Sequence, residues 1–125
     1  MKKIFLLLGV VALSAHAEWQ LVHTDASNAK FFIDQTHIEL VEGFQRIWVM
    51  NSLESTNAQG ARSFRSVEEY DCIKKMGRVM QIAAFDGEMG QGNVLARRHG
   101  NGQWQAPDEG SVDTIIMNEA CKPAK

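Results

Sequence analysis

Ala-Arg-Ser-Phe-Arg-Ser-Val-Glu-Glu-Tyr-Asp-Cys, residues 61–72, is the segment around which we expect the rest of the chain to fold. It contains neither Gly nor Pro and is long enough for a central β-strand. Because side chains alternate along a strand, Phe64, Tyr70 and Cys72 are expected on one face of the sheet. The other face is expected to carry Val67 and three charged residues, Arg65, Glu69 and Asp71. Cys72, one of only two cysteines, ends this strand.

Residues 1–17 have the pattern of a cleaved signal peptide. Two lysines precede an apolar run of ten residues, Ile4–Leu13, and small residues occupy the −3 and −1 positions of a cleavage site between Ala17 and Glu18. A membrane-spanning helix needs about 20 apolar residues, so this run of ten is too short to be one. No other stretch of the chain is long and apolar enough either. The residue directly after the cleavage site is Glu18 and not a cysteine, so a lipoprotein is not expected. We predict one exported domain, residues 18–125, in the periplasm, the cell envelope or the extracellular space.

The mature chain is mildly acidic. The signal peptide contains two lysines and no acidic residue, so 11 of the 13 basic residues remain against 15 acidic ones, a net charge of −4. This charge gives no support to nucleic-acid binding.

Short β-strands dominate the predicted secondary structure, and one helix follows them. The predicted strands are Trp19–His23, Ala29–Asp34, His37–Val41, Phe44–Leu53, Ala61–Cys72, Met76–Phe85 and Val94–Arg98. Asn101-Gly102 is predicted to turn a hairpin, so that residues 103–105 pair back on the last strand. Residues 86–93 contain three glycines and are predicted to form a mobile loop. Short connections favour antiparallel pairing, so we predict an α+β fold with a single antiparallel sheet of about six strands.

The predicted helix lies near the C-terminus and ends at the second cysteine, Cys121. Ser111 is a favourable N-cap, and Lys122-Pro123 ends the helix. Apolar residues recur at helical spacing: Val112, Ile115, Ile116 and Ala120. Two cysteines in an exported chain are expected to be bonded. We therefore predict a Cys72–Cys121 disulfide that ties the helix to the central strand.

Two predicted strands, Phe44–Leu53 and Met76–Phe85, carry large apolar side chains on both parities. One helix covers only one face of a sheet, so the second face also needs cover. A curled sheet edge or a second subunit in a homodimer would supply it. A strongly bent half-barrel with its own core is the other interpretation.

No catalytic, cofactor-binding or metal-binding residue is predicted. Both cysteines are expected to be bonded, no G-x-S-x-G elbow is present, and no histidine lies in a zinc motif. Glu68, Glu69 and Asp71 form a carboxylate cluster, but on a strand only Glu69 and Asp71 share a face. The three tryptophans are interpreted as core residues.

The one interaction signal lies after the glycine-rich loop. Arg97 and Arg98, with Trp104 beyond the predicted turn, form a basic and aromatic segment on an acidic protein. Guanidinium groups offer forked hydrogen bonds to carboxylates, and Trp104 offers an apolar anchor. On a strand Arg97 and Arg98 point to opposite faces, so only one of them reaches a given surface. We predict weak binding of an acidic partner here.

Taken in order, several residues resemble those of the surface-adhesin protein E-like family of exported Gram-negative proteins. The resemblance covers nearly all of the mature chain. It rests on Trp19, Asp34 with Ile38, Arg46 with Trp48, Tyr70-Asp71-Cys72, Trp104, the helix start at Pro107, Gly110 and Ser111, and Cys121.

The resemblance implies a six-stranded antiparallel sheet, a C-terminal helix held by a disulfide, and often a dimer. It also implies a cell-envelope protein similar to adhesins for host proteins. The leading hypothesis is thus a non-catalytic exported protein that binds host or envelope proteins. The alternatives are a periplasmic structural protein that dimerises without a ligand, and a small envelope enzyme.

Overall fold

A computed structural model gives the fold of residues 17–122. Its strands are β1 (Trp19–Thr24), β2 (Lys30–Asp34), β3 (Glu39–Val41), β4 (Phe44–Ser52), β5 (Ser63–Asp71), β6 (Met76–Phe85) and β7 (Val94–His99). The single α-helix of the described residues, α1, spans Val112–Ala120, and short 3₁₀ turns span Gln35–His37 and Glu88–Gly90. The predicted signal peptide lies outside the described residues, apart from Ala17.

The strands form one antiparallel sheet in the order β1-β2-β4-β5-β6-β7. β3 follows the 3₁₀ turn Gln35–His37 and pairs with the beginning of β4, on the same side as β2, which pairs with the end of β4. β2 and β3 therefore act as one interrupted strand. The α+β fold predicted from the sequence, with about six strands and a C-terminal helix, is confirmed.

β5 lies inside the sheet, as its sequence predicts. It pairs with β4 from Ser63 to Tyr70 and with β6 along its whole length. Between Val67 and Glu68 the register with β6 shifts by one residue, so Met80 has no partner on β5. This β-bulge leaves the alternation of β5 itself undisturbed.

One face of the sheet, called the helix face, packs against α1. The core between them is apolar and includes Ile33, Ile47, Val49, Tyr70, Ile116, Met117 and Ala120. The ring of Tyr70 lies across Gly77 on β6, where an added Cβ would come within 2.6 Å of the ring. Only glycine fits below this ring, so the pair fixes the position of Tyr70.

The helix begins and ends as the sequence predicts. The Ser111 side chain caps the helix by accepting a hydrogen bond from the Thr114 N–H. At the other end Cys121 is bonded to Cys72, 49 residues away in sequence. The predicted disulfide is therefore confirmed, and it ties the helix to the end of β5. None of the described helices is long and apolar enough to cross a membrane.

The opposite face of the sheet, called here the arginine face, carries Arg46, Arg65, Arg78 and Arg97 at register positions beside Glu69 and Ala83. Residues 86–93 cover one end of it. The Ser63 hydroxyl donates to the Gly87 carbonyl and accepts from the Gly90 N–H, and Gly90 packs against Met50. The predicted mobile loop is thus tied to β5 by hydrogen bonds.

The hairpin predicted at Asn101-Gly102 is wrong. The chain does not return along β7 but continues beside β6, where Gln105 and Gly77 exchange two backbone hydrogen bonds of 2.9 Å. β6 is ten residues long, and β7 pairs only with its second half. The free backbone groups at Gly77 therefore offer a partner that the hairpin would leave unused.

Candidate functional site

Two arginines of the arginine face flank one alanine. Arg65 on β5 and Arg97 on β7 both lie opposite Ala83 on β6. Neighbouring strands lie about 4.8 Å apart, so the two arginines start from backbones roughly 10 Å apart. Ala83 is buried, with 8% of its surface exposed, and its methyl group leaves a cleft between them. The cleft encloses about 280 Å³ and is also lined by Trp48 and Gln81.

Arg65 is held by aromatic rings rather than by a carboxylate. Its guanidinium carbon lies 5.2 Å from the ring centroids of both Trp48 and Phe85, a distance at which a cation is attracted to the ring face. Within residues 17–122, no carboxylate oxygen lies within 4.0 Å of Arg65 or Arg97. Both guanidinium groups therefore keep their hydrogen-bond donors available for an anion.

A second cleft of about 280 Å³ lies on the other side of Trp48 and Arg65 and shares both residues. Trp19, Asp34 and His37 line its far end. Because the two clefts share Trp48 and Arg65, we treat them as one feature, called the arginine groove. The groove runs across the arginine face from His37 to Arg97.

Asp34 is a buried carboxylate at the His37 end of the groove, with 1% of its surface exposed. Its Oδ1 accepts from the Thr36 N–H at 3.0 Å, from the Thr36 hydroxyl at 2.6 Å and from the Glu18 N–H at 3.3 Å. The His37 Nδ1 lies 2.5 Å from Oδ2. Burial opposes ionisation, but the hydrogen bonds from Thr36 and His37 outweigh it and lower the pKa of Asp34. The pair orients the His37 ring at the mouth of the groove.

Glu69 joins two further arginines next to the groove. It is buried, and its two oxygens each receive a forked pair of hydrogen bonds, from Arg46 at 2.8 and 3.1 Å and from Arg78 at 2.7 and 3.0 Å. Burial by itself would raise the pKa of Glu69, but the two guanidinium groups outweigh this effect, so the net result is a lowered pKa. Two cations around one carboxylate leave this cluster with one net positive charge.

Trp104 packs against this cluster. Its ring centroid lies 4.3 Å from the guanidinium carbon of Arg78 and 4.7 Å from the ring centroid of Phe44. Trp19 and Trp48 line the groove. The prediction that the tryptophans belong to the core is therefore wrong, since all three lie half-buried and outside the core cluster.

Arg97, Arg98 and Trp104 were predicted from the sequence as one partner-binding segment, and the structure separates them. Arg97 lies on the arginine face opposite Ala83. Arg98 lies opposite Ile82, at a register position of the helix face, although it also lines the first cleft. Trp104 packs beside Glu69 and lines neither cleft of the groove.

Sequence analysis missed Arg65 and Trp48 as site residues. Both lie on strands that were correctly predicted, and Trp48 and Val67 are direct neighbours across β4 and β5. The even-numbered residues of β4 and the odd-numbered residues of β5 lie on the same face of the sheet, and this shared face is the signal that could have found them. Knowing that these two sets of residues share a face requires the register between β4 and β5, which the sequence of a single strand does not reveal.

Neither face carries a recognisable catalytic or metal site among residues 17–122. Both cysteines are bonded, and no group of three His, Cys, Asp or Glu side chains is placed to hold a metal ion. The carboxylate cluster suggested by the sequence is divided, because Glu68 points to the helix face and Glu69 to the arginine face. What the arginine face carries instead is two guanidinium groups, Arg65 and Arg97, that form no ion pair with any of the described residues.

Comparison with known proteins places the chain in a family. The family model for surface-adhesin protein E matches residues 19–122. The chain belongs to the surface-adhesin protein E family. The match spans every element of the sheet and α1.

Solved structures of the surface-adhesin protein E family have the same fold. Crystal form II of Haemophilus influenzae protein E superposes with a TM-score of 0.63 at 16% identity, over 84% of this chain and 96% of that one. Another structure of the same protein gives a TM-score of 0.64 at 13% identity, over 85% of each chain. At these identities the likeness concerns the fold alone. No curated protein matches the sequence.

Proposed function

We propose that this protein is a non-catalytic, exported cell-envelope protein that binds an acidic segment of a host or envelope protein through the arginine groove. Membership in a family of surface adhesins supports a binding role. The signal-peptide pattern supports export, with cleavage between Ala17 and Glu18. The observation that carries the proposal is the placement of Arg65 and Arg97 on either side of Ala83.

The groove has the chemistry to hold carboxylates. Each guanidinium can donate two parallel hydrogen bonds to a carboxylate, which gives orientation as well as attraction. Trp48 adds an apolar surface shared by the two clefts, and Gln81 adds an amide to the lining of the first. Arg65 is half-buried, where electrostatic attraction is stronger than in open water. A short segment with two or more Asp or Glu residues fits this arrangement.

The net charge of the mature chain makes this attraction local. With −4 overall, the protein repels acidic molecules at long range and attracts them only near the arginine face. Binding is therefore expected to weaken as salt rises, because the Debye length falls from about 10 Å at 0.1 M to about 3 Å at 1 M.

The direct test removes both groove arginines, as Arg65→Gln with Arg97→Gln. The probe is a fluorescently labelled peptide rich in Asp and Glu, and the measurement is its Kd by fluorescence anisotropy at low salt. We expect the Kd to rise at least tenfold, a loss of about 1.4 kcal/mol. Circular dichroism and thermal melting establish that the variant is folded.

A charge-matched control is Lys74→Gln with Lys75→Gln, which removes two positive charges from the exposed turn between β5 and β6. Lys74 and Lys75 line neither cleft, so this variant is expected to bind the peptide nearly as tightly as the wild type. An equal loss in both variants would mean that only the net charge matters. An unchanged Kd in the arginine variant would remove the groove from the proposal.

Location decides between a host partner and an envelope partner. Fractionation combined with surface labelling of intact cells is the measurement. Exposure on the cell surface supports adhesion to a host protein, whereas confinement to the periplasm supports an envelope partner.

A second candidate function is a dimerising structural protein without a separate ligand. Four large apolar side chains on the last two strands are 38–45% exposed: Val79, Ile82, Val94 and Leu95. β7 also forms one edge of the sheet, where backbone groups remain open to another strand. Sedimentation equilibrium across a wide concentration range tests this candidate, and a monomer throughout contradicts it.

A further inference from the structure

Within residues 17–122, Asp34 forms no ion pair with a lysine or an arginine, although it is almost completely buried. Its only ion-pair partner among the described residues is His37, and an imidazole is charged only when protonated. Arg65 lines the same cleft but forms no ion pair with it. The hydrogen bonds from Thr36 and His37 favour the ionised form of this carboxylate, but no lysine or arginine among the described residues forms an ion pair with it.

The remaining partner of Asp34 is the backbone nitrogen of Glu18, 3.3 Å from Oδ1. This is the nitrogen on the far side of the cleavage site predicted from the sequence. We propose that cleavage between Ala17 and Glu18 converts this nitrogen into an α-ammonium group that forms an ion pair with Asp34. The mature N-terminus then supplies the cation that the buried carboxylate lacks. This inference rests on the proposed export and on its cleavage site.

The chemical step is an ordinary peptide hydrolysis by a signal peptidase. Water adds a hydroxyl to the Ala17 carbonyl carbon, the bond to the Glu18 nitrogen breaks, and that nitrogen leaves as an amine after taking a proton. The amine then takes a second proton from solvent, because an α-amino group has a pKa of about 7.7–8.0. One neutral N–H donor becomes a charged group with three donors at the same place.

The ion pair has a definite pH signature. A carboxylate beside the α-amino group favours the charged amine and therefore raises the pKa of the amine. The added stability is fully present below about pH 8, where the amine of the unfolded chain is also charged. It disappears as the pH rises through the higher folded-state pKa. The charged groups facing Asp34 are His37 from the 3₁₀ turn and Arg65 from β5, together with the Glu18 carboxylate beside the new terminus.

The first test measures the α-amino pKa directly. Mature protein recovered from exporting cells is checked by mass spectrometry for an N-terminal Glu18, and the Glu18 Cα resonance is then followed from pH 6 to 11 by NMR. We expect a pKa at least about one unit above the ordinary range. A mature chain that starts elsewhere overturns the inference together with the cleavage site. A chain that starts at Glu18 with an ordinary pKa overturns the ion pair alone.

The second test moves the amine by one residue. A chain that starts Gly-Glu18 keeps a neutral amide at the Glu18 nitrogen, and at pH 7 we expect its Tm to be about 5 °C lower than that of the authentic chain. The difference should vanish above about pH 10. Asp34→Asn should abolish it at every pH, whereas His37→Gln should preserve it. If Asp34→Asn does not fold, the His37→Gln pair and the pH series remain decisive, and equal Tm values at pH 7 overturn the inference.

Discussion

Glu68 and Glu69 are neighbours on β5, and the sheet sends them to opposite faces. Glu69 lies on the arginine face between two guanidinium groups, and its pKa is lowered. Glu68 lies on the helix face and receives hydrogen bonds from the Tyr70 hydroxyl at 2.7 Å and from the Ser66 hydroxyl at 2.5 Å. Burial dominates there, so the pKa of Glu68 is raised.

Burial alone does not set the direction in which the pKa of a carboxylate shifts. Both residues are buried, with 9% of Glu68 and 2% of Glu69 exposed. Glu69 has the smaller exposed surface and yet the lowered pKa, because arginines lie on both sides of it. A hydroxyl donates one hydrogen bond but brings no charge, and it cannot offset the loss of water around Glu68. The helix face is thus held by apolar packing and a disulfide, and the arginine face by ion pairs.

The largest expected effect comes from breaking the covalent hold on the helix face. Cys72→Ser with Cys121→Ser removes a bond between two residues that are 49 positions apart in the sequence. In the chain-entropy model the bond is worth about 4 kcal/mol. We expect the free energy of unfolding in urea to fall by about this amount. Conversely, an unchanged midpoint after reduction of the wild type would mean that packing alone holds α1.

The next effect comes from removing the central charge of the arginine face. Glu69→Gln leaves Arg46 and Arg78 facing each other without a carboxylate, and we expect a loss of about 2–3 kcal/mol at pH 7, since the arginines are partly exposed. The pKa of Glu69 is lowered on folding, so the wild type holds this advantage above about pH 4.5. As the pH falls through the lower folded-state pKa, the wild type and the variant should converge. A gap that stays constant down to pH 2 would contradict the ion-pair explanation.

The smallest effect is expected at Glu68, where the contribution to stability should depend on pH in the direction opposite to that of Glu69. Glu68→Gln keeps the shape and removes the charge, so the loss at pH 4 should stay within about 1 kcal/mol. The pKa of Glu68 is raised on folding, so the wild type loses stability as the pH rises from about 4.5 through that higher value. The variant should therefore gain on the wild type between pH 4 and pH 8. Parallel urea titrations of both chains across this range provide the measurement, and a gap that does not change with pH would contradict the assignment.

Much of the fold followed from local patterns. Alternation along residues 61–72 correctly separates Phe64 and Tyr70 from Arg65 and Glu69, and Ser111 correctly marks the start of α1. Alternation along the strand is enough to place Glu68 and Glu69 on opposite faces. It does not predict the directions of their pKa shifts, because the partners of Glu69, Arg46 and Arg78, come from two other strands. The groove was missed for the same reason, since it exists only where three strands align at Ala83.

The Asn101-Gly102 hairpin failed because a local turn preference competed with a distant backbone partner. The dipeptide favours a tight turn, but Gly77 offers two hydrogen bonds only when β6 is longer than its neighbour β7. The difference in length between β6 and β7 is a property of the assembled sheet. No window around residue 101 contains this information.

Ala83 has a consequence that reaches beyond the stability of the sheet. Its methyl group lies between Arg65 and Arg97, so under the proposed function this one side chain would determine how large an acid the two arginines can hold together. A larger apolar residue at this position would close the space while both charges and the backbone stayed in place. Under the proposed function, ligand size and ligand charge would therefore be set by different residues, and one could change during evolution or engineering while the other remains.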